Sequence, residues 1–520
     1  MVARLNKIKE TTMHEPSFIR RMLRSDIAVL WLSGLGIALL HIAASGRYGF
    51  HRDELLSYSN AIHLDWCYVV YPPLTAWLAR AELELFGTSL VGYRLLPAVA
   101  VALIGVLAGL IVRELGGKRQ AMLVACAATS IEGPIFFAGT FFSYMTFDIL
   151  WWVAAAWCVA CLLRSQNPRW WIGIGVVIGL GMLTKYAILF LVAGILAGVI
   201  FTPNRRFLRS PWFWAGIAVT LVITMPVIVW QFQHHFVGLT WAESIHARDV
   251  RWGRANHFLV NQFWNVTSVV TVPLWIAGLW YLMIRPQGKP FRVLGWMYVV
   301  PLVLFALAKG RDYYMAGAYP MLMAAGAVWG EQKLAAASLA ARNRALRTVW
   351  ISLTVASLVL GALILPIAPI NSYWWRAANG ANGGFNMEIG WPELVATVAS
   401  VRDSLPEAER AHIGVIAGDE GEAGAVNLYG RAYGLPQAIS GMNSNWLRGY
   451  GNPPPQTVIA VGMDRAFLFR NFTACRWAAQ LSNPYGVVND TIGGDYAAVY
   501  VCGPPVKGWP EFWKNFQYYG

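Results

Sequence analysis

Long apolar runs recur along the first two thirds of the chain, and short polar segments separate them. About 20 apolar residues are enough to cross the hydrocarbon core of a bilayer as a helix. This pattern predicts an α-helical polytopic membrane domain of about eleven spans, with ten to thirteen left open because several runs are short enough to tilt or to be re-entrant. The runs lie at 27–45, 92–112, 121–138, 148–163, 170–183, 187–201, 212–230, 264–284, 293–308, 314–330 and 349–368.

Composition supports a membrane protein and argues against a soluble one. Hydrophobic residues make up 57% of the chain and charged residues only 13%, whereas soluble domains carry about 25% charged residues. The net charge of +14 does not indicate nucleic-acid binding, because the charges punctuate the apolar runs and form no continuous basic surface.

Lysine and arginine in the loops predict the orientation, since cytoplasmic loops are enriched in them. One set of alternate loops holds 21 of these residues and the opposite set holds nine. The basic N-terminus is therefore expected in the cytoplasm, and it leads into a span without a cleavage site for a signal peptide. The predicted divisions are a cytoplasmic N-terminus at 1–26, a membrane domain at 27–368 with outer loops at 46–91 and 231–263, and an extracytoplasmic domain at 369–520.

The last third of the chain, called the tail domain here (369–520), has a different pattern. It opens with a polar, glycine-rich stretch at 379–384, and then short apolar runs at 413–417, 457–461 and 496–501 alternate with turn residues and one helical stretch. This predicts a small α/β domain. Its two cysteines, Cys475 and Cys502, would lie in an oxidising compartment. A disulfide between them is a prediction, because sequence alone does not fix their distance.

Candidate chemistry lies among the scarce acidic residues, since a carboxylate near hydrocarbon is costly and is usually kept for a partner or a task. His51, Arg52, Asp53 and Glu54 stand together just after the first apolar run, and Asp148 opens the fourth. The first loop then reaches the pair Pro72-Pro73 among aromatic residues. The segment could shape a cleft for a lipid-linked headgroup, or it could be a solvated charge cluster beside an aromatic interfacial belt.

Several motifs together resemble a known family. They are Asp53-Glu54, Trp66-x-Tyr68-x-x-x-Pro72-Pro73-Leu74, Met145–Asp148, Gly179–Tyr186, Trp230–Phe236, Lys309–Tyr314 and Tyr319-Pro320. In this order they resemble the bacterial protein-mannosyltransferase and lipid A aminoarabinose-transferase superfamily, whose members are membrane glycosyltransferases of the GT-C fold (glycosyltransferase family 39-like). Where relatives often carry an acidic residue and a Lys or His before the proline pair, this chain has Val70 and Tyr71. That departure argues against copying the aminoarabinose specificity.

The resemblance implies a reaction and a place for it. A sugar would move, with inversion, from a polyprenyl phosphate to an envelope acceptor (a lipid A-type glycolipid, another lipid or a protein) at the outer face of the inner membrane. Asp53 matches the catalytic base, and Glu54 and Asp148 would orient the acceptor or the base, or hold a metal. Candidates for the donor phosphate are Lys185 first, then Arg52, Tyr71, Lys309 and Arg311.

Two alternatives stay open at this point. No cofactor is required by the implied reaction, but a divalent metal would find its ligands among His51, Glu54, His234 and His235. Lys185 could instead be a snorkelling anchor at a helix end. The rival function is a polytopic transporter or lipid flippase, although no internal repeat typical of transporters is visible, and the carboxylates gather at one end of the predicted spans.

Overall fold

All eleven apolar runs form helices in the structure, which is a computed structural model describing residues 25–489 and 493–520. Most of the predicted N-terminal segment lies outside the described residues. The helices that correspond to the runs are Asp26–Ala44, Leu95–Glu114, Arg119–Ser130 with Gly133–Ala138, Tyr144–Ser165, Trp170–Met182, Ile188–Ile200, Pro211–Gln233, Val272–Met283, Arg292–Leu307, Tyr319–Ala335 and Leu339–Ile364.

Not every helix of the bundle is long enough to cross a membrane. Within the described ranges, six helices have the length and apolar character of a span, or seven if the bent pair Ile188–Ile200 and Pro203–Arg209 counts as one. The third run is broken at Glu132, where Gly133-Pro134 begin a second short helix, because proline is well accommodated in the first helical turn. The protein is therefore a multi-pass membrane protein, and the number of spans and their sidedness stay predictions.

Shorter helices fill the connections between these elements. In the membrane domain they are Arg52–Ala61, Leu74–Phe86, Leu90–Tyr93, Val237–Arg251 and Phe258–Asn261, with 3₁₀ turns at Pro203–Arg209, Pro286–Phe291 and Asp312–Ala318. In the tail domain they are Tyr373–Asn382, Trp391–Asp403, Glu407–Arg410, Glu420–Tyr429, Arg465–Asn471 and Trp509–Lys514, with 3₁₀ turns at Phe385–Glu388, Gly430–Tyr433, Asn443–Arg448 and Gly494–Tyr496.

The tail domain contains the expected sheet. Its strands are β1 (Ile413–Ala417), β2 (Ala438–Ile439), β3 (Thr457–Val461), β4 (Arg476–Gln480) and β5 (Ala498–Cys502). They lie in the order β2-β1-β3-β5-β4, with β1 parallel to β2 and β3, and β5 antiparallel to β3 and β4. A disulfide joins Cys475 to Cys502, which confirms that prediction.

The tail domain packs directly on the first loop of the membrane domain. The backbone N–H of Val69 donates to Ser444 Oγ at 2.9 Å, and His63 Nε2 lies 3.2 Å from Gln437 Oε1. The first loop and the tail domain thus share one end of the helix bundle, called the tail-domain end below.

Glycines let some bundle helices touch backbone to backbone. A Cβ on Gly326 would lie 2.0 Å from the carbonyl oxygen of Leu274, and a Cβ on Gly278 would lie 1.8 Å from that of Leu322. Small residues at such crossings allow the close approach that stabilises helix pairs in membranes.

The crossing gives a stability prediction with a control on the same helix. Gly326→Ala should lower the midpoint of thermal unfolding in detergent, because overpacking costs about 1–3 kcal/mol. Gly330→Ala, where a Cβ meets nothing within 4 Å, should leave it unchanged or raise it, because alanine favours the helix by about 1 kcal/mol. Equal midpoints for the two variants would contradict the packing described here.

Candidate active site

Asp53 lies in the first turn of the helix Arg52–Ala61, called the first-loop helix here. His51 caps this helix with its ring, whose Nδ1 accepts the backbone N–H of Asp53 at 3.1 Å. Glu54 completes the capping box by accepting the backbone N–H of His51 at 2.7 Å, an arrangement that fixes where a helix starts. Burial lowers the pKa of His51, which keeps the ring neutral and able to accept. The Asp53 side chain remains 42% exposed.

Glu54 points the opposite way, into a buried ion-pair network. Its carboxylate accepts from Arg94 Nε at 2.9 Å and Nη2 at 2.7 Å, and from the backbone N–H of Phe142 at 2.8 Å. Arg94 Nη2 also donates to Glu388 of the tail domain at 3.2 Å. Burial raises the pKa of Glu388 to about 8, so near pH 7 the balanced charges are those of Arg94 and Glu54. Every hydrogen-bonding direction of the Glu54 carboxylate is used inside the protein.

A cavity of about 970 Å³ opens beside Asp53. Its polar end is lined by Asp53, Ser143, Tyr144 and Tyr313. The helix Leu339–Ile364 forms a mostly apolar wall. It contributes Ser352 and seven apolar residues, which are Ile351, Val355, Ala356, Val359, Leu360, Leu363 and Ile364. The cavity therefore combines a polar end with an apolar flank, as a lipid with a polar headgroup would require.

Lys185 lies behind two aromatic rings of this cavity. Its Nζ is 3.8 Å from the ring centre of Tyr314, 4.7 Å from that of Tyr144 and 5.6 Å from that of Tyr313. Aromatic faces stabilise an ammonium group when part of its water is removed. Asp148 is buried nearby, its charge interacts with that of Lys185, and its Oδ1 has no hydrogen-bond partner. Asp148 does not line the cavity beside Asp53.

Three arginines surround one carboxylate at the tail-domain end. Arg311 Nε lies 2.6 Å from Asp249 Oδ2, and Arg254 Nη1 and Arg248 Nε lie 3.3 and 3.7 Å from Asp249 Oδ1. Arg311 also donates to the hydroxyl of Tyr313, one of the cavity residues, at 3.2 Å. One carboxylate does not balance three guanidinium groups, so this cluster of four side chains has an excess of positive charge.

The other residues predicted from the sequence do not line the cavity beside Asp53. Tyr71 is buried, and its hydroxyl accepts from Asn60 Nδ2 at 2.8 Å. Lys309 is exposed beyond the helix Arg292–Leu307. His234 stacks on Trp230 and His235 is exposed. Throughout residues 25–489 and 493–520, no three His, Cys, Asp or Glu side chains are grouped so that they could hold a metal ion. The suggested set of Glu54 with three histidines is therefore not assembled.

Arg94, Glu388 and Asp249 are not among the residues that the sequence predicts for the site. Arg94 fell inside the predicted span 92–112, where an arginine is costly and signals a partner, so a signal for it existed. Glu388 is 294 residues away from Arg94 along the chain, and no local pattern could have paired the two. In the sequence, Arg248 and Arg254 contribute only to the count of loop charges that predicts the orientation. Their approach to Asp249 depends on the tertiary structure and has no local signal.

Comparisons with known proteins show which family this chain resembles. Residues 70–230 match the family described as dolichyl-phosphate-mannose-protein mannosyltransferase. Lipid A galacturonosyltransferase RgtD of Rhizobium johnstonii is 30% identical over 271 residues, which cover 50% of this chain and 55% of that protein. Over about half of its length, the chain is therefore similar to membrane glycosyltransferases of the GT-C superfamily.

Two further comparisons extend the match. The undecaprenyl phosphate-alpha-4-amino-4-deoxy-L-arabinose arabinosyl transferase 1 of Pseudomonas fluorescens is 24% identical over 304 residues, 52% of each chain. Alignments to these GT-C relatives thus span about half of their length. The crystal structure of ArnT from Cupriavidus metallidurans bound to undecaprenyl phosphate superposes with a TM-score of 0.53 at 17% identity, covering 91% of this chain and 97% of that one. The two proteins therefore share a fold over most of both chains, which includes part of the tail domain as well as the helix bundle.

The buried network gives a prediction about stability. Arg94→Met should destabilise the protein strongly, because removing one partner of a buried ion pair costs about 3–5 kcal/mol. Arg80→Met is the matched control: Arg80 is 42% exposed and pairs with Glu84 four residues on, a contact worth about 0–1 kcal/mol. Thermal unfolding in detergent would measure both, and a loss for Arg94→Met no larger than for Arg80→Met would refute the role given to the network.

Proposed function

We propose that this protein is an inverting glycosyltransferase that moves a sugar from a polyprenyl phosphate to an envelope acceptor at the outer face of the inner membrane. The observation that supports it best is the placement of Asp53. Its carboxylate is presented by a capped helix at the polar end of a cavity whose flank is apolar. Such a cavity suits a lipid-linked donor, and the carboxylate suits a general base.

Asp53 is assigned as the base that accepts the proton of the acceptor hydroxyl. A general base must be within hydrogen-bond reach of the proton that it removes, so it must be exposed to the substrate. Asp53 meets this condition and Glu54, buried against Arg94, does not. Of the roles suggested for Glu54, orienting the base fits its contacts, because it closes the capping box that starts the first-loop helix.

The donor phosphate is assigned to the positive groups around the tyrosines of the cavity. Lys185 and Arg311 both contact Tyr313, and Arg248 and Arg254 reinforce Arg311 around Asp249. When the bond between sugar and phosphate breaks, negative charge grows on the phosphate oxygens, and cations already in place stabilise it without reorganisation. Asp148 is assigned to hold Lys185 in position.

Relatives indicate the class of substrate but not its identity. The names of the matched proteins mention lipid A and undecaprenyl phosphate-linked aminoarabinose. By analogy, we propose that the donor of this protein is a polyprenyl-phosphate sugar and that its acceptor is a lipid or protein of the envelope. Val70 and Tyr71 replace the residues that many relatives carry before the proline pair, which argues for a different donor sugar.

A reconstituted assay tests the function against the flippase or transporter alternative. Purified protein in lipid nanodiscs would be given a panel of polyprenyl-phosphate sugars and envelope lipids, and products would be followed by mass spectrometry. Transfer of the sugar, with one free polyprenyl phosphate released per product, is expected. Donor binding or transbilayer movement without any product across the panel would reject the enzyme.

Asp53→Asn should abolish transfer while the protein still folds, because the amide keeps the shape but removes the base. The loss in kcat should be at least about 10²–10⁴-fold, the usual contribution of general base catalysis. Asp65→Asn, in the same loop with an exposed side chain, serves as the control and should retain activity. Near-normal turnover by correctly folded Asp53→Asn protein would contradict this assignment and indicate that another carboxylate is the base.

Lys185→Met should weaken donor binding and slow the chemical step together, because the phosphate is charged before the bond breaks and gains charge as it does. Lys185→Arg should recover part of the activity, since the charge remains on a larger, planar head. Lys333→Met removes another lysine that lies over an aromatic ring, at 5.9 Å from Trp329, and should have no such effect. The measurement is activity per folded molecule. An unchanged value for Lys185→Met would contradict a role in catalysis and indicate that Lys185 only anchors a helix end.

A further inference from the structure

A second cavity, of about 690 Å³, runs along the helix Leu339–Ile364 and is called the distal groove here. Three more helices complete its walls, Arg119–Ser130, Val272–Met283 and Tyr319–Ala335. Most of the side chains that line it between these helices are apolar, among them Val124, Leu274, Ala327, Leu346, Val349 and Leu353.

The groove exists because the helix Leu339–Ile364 packs loosely on the bundle. Its buried residues are Leu353, Gly361 and Ile364, although the helix has 26 residues. On the facing wall, a Cβ on Gly330 would meet nothing within 4 Å. Protein interiors are normally close-packed, and atoms that line a void lose their contacts on that side. In a bilayer, a hydrocarbon chain restores those contacts.

The groove opens at the end of the bundle that lies away from the tail domain. The far end of the helix Leu339–Ile364 contacts the tail domain, where Asn382 Nδ2 donates to the carbonyl oxygen of Leu363 at 2.8 Å. Arg342 lines the groove near the start of the same helix, about 30 Å from Leu363 at the usual rise of an α-helix. The loop charges predict that this end faces the cytoplasm.

The mouth of the groove has an excess of positive charge. The charged residues that line it are Lys118, Arg342 and Glu331, so two cations face one carboxylate. Glu331 is already engaged, because its Oε2 accepts the backbone N–H of Lys118 at 2.8 Å. Trp329 also lines the groove, and within the described part of the chain its indole Nε1 has no hydrogen-bond partner. Basic pockets between membrane helices on the cytoplasmic side bind anionic lipid headgroups.

We propose that the distal groove binds an anionic phospholipid, with an acyl chain in the groove and the headgroup phosphate at Lys118 and Arg342. The lipid fills the space beside the helix Leu339–Ile364 and thereby supports the helix that also forms a wall of the cavity beside Asp53. The site is independent of the proposed reaction, because neither Asp53 nor the cations assigned to the donor phosphate line it.

Native mass spectrometry in detergent tests the headgroup contacts. Phosphatidylglycerol and phosphatidylethanolamine with the same acyl chains are the anionic and zwitterionic probes. The unmodified protein should bind phosphatidylglycerol about 30-fold more tightly, since each basic residue near an anionic headgroup contributes roughly fivefold. The double variant Lys118→Gln/Arg342→Gln should lose this preference and keep its affinity for phosphatidylethanolamine.

The matched control removes two other exposed arginines from the same set of loops. Arg205→Gln/Arg209→Gln changes the turn Pro203–Arg209, which does not line the groove, and should keep the preference for phosphatidylglycerol. Equal affinities of the unmodified protein for the two lipids would show that lipid only surrounds the protein without a site, and would overturn the proposal. An equal loss of the preference in both double variants would overturn it as well.

Gly330→Leu tests the apolar part of the site, because its side chain would project into the groove. It should weaken phosphatidylglycerol binding about tenfold, since roughly ten lost van der Waals contacts are enough for that change, without lowering the midpoint of thermal unfolding. Gly36→Leu is the matched control. Gly36 lies in the helix Asp26–Ala44 outside the groove, and its Cβ would also meet nothing within 4 Å. Equal phosphatidylglycerol binding by the two variants would contradict the proposed site.

Undecaprenyl phosphate is the probe for a different occupant, the polyprenyl chain of a donor lipid. The two cavities share Val269, Val270 and Ser352, so a long chain that starts beside Asp53 could extend into the groove. We expect undecaprenyl phosphate to bind Gly330→Leu as it binds the unmodified protein and to leave phosphatidylglycerol in place. Displacement of phosphatidylglycerol by undecaprenyl phosphate, with weaker undecaprenyl phosphate binding in Gly330→Leu, would assign the groove to the donor chain and reject the phospholipid site.

Discussion

The buried guanidinium of Arg94 is the interaction on which the rest of the site depends. It joins three parts of the protein: the start of the helix at Leu95, the first-loop helix through Glu54, and the tail domain through Glu388. It also donates to the carbonyl oxygens of Ser45 and Gly49, which hold the chain between the first membrane helix and the site. A charge buried this completely is tolerated only when its partners satisfy it, so the three parts must come together in one arrangement.

Adjacent carboxylates acquire different roles from this arrangement. Glu54 faces inward and neutralises Arg94, while Asp53, one residue earlier on the same helical turn, faces the cavity. Environment rather than residue type separates the two, as it does in enzymes that use paired acids. The tail domain also contacts this helix, through Asn427 to Ser59 and Arg448 to Asn60. The position of Asp53 therefore depends on contacts with both the bundle and the tail domain.

Local sequence pattern predicted most of the main elements but not their partners. Long apolar runs located the eleven helical segments of the membrane domain, and the short apolar runs after residue 400 located three of the five strands. The short β2 and the exposed β4 have no strong apolar signal of their own. Asp53 and Lys185 could be singled out because charges are scarce beside apolar runs. The pairs Arg94–Glu388 and Arg311–Asp249 join residues that are 294 and 62 positions apart, so no local pattern indicates them. The burial of Glu54 also depends on Arg94, which the pattern had placed inside a span.

In the proposed reaction, a hydroxyl activated by Asp53 would attack the sugar from the side opposite the phosphate. A single displacement of this kind inverts the anomeric carbon, whereas two successive displacements through a sugar bound to the enzyme retain its configuration. Nuclear magnetic resonance of the first-formed product, compared with a donor of known anomeric configuration, distinguishes the two. We expect the opposite anomer from that of the donor. The same anomer would contradict the assignment of Asp53 as a base and indicate a covalent intermediate instead.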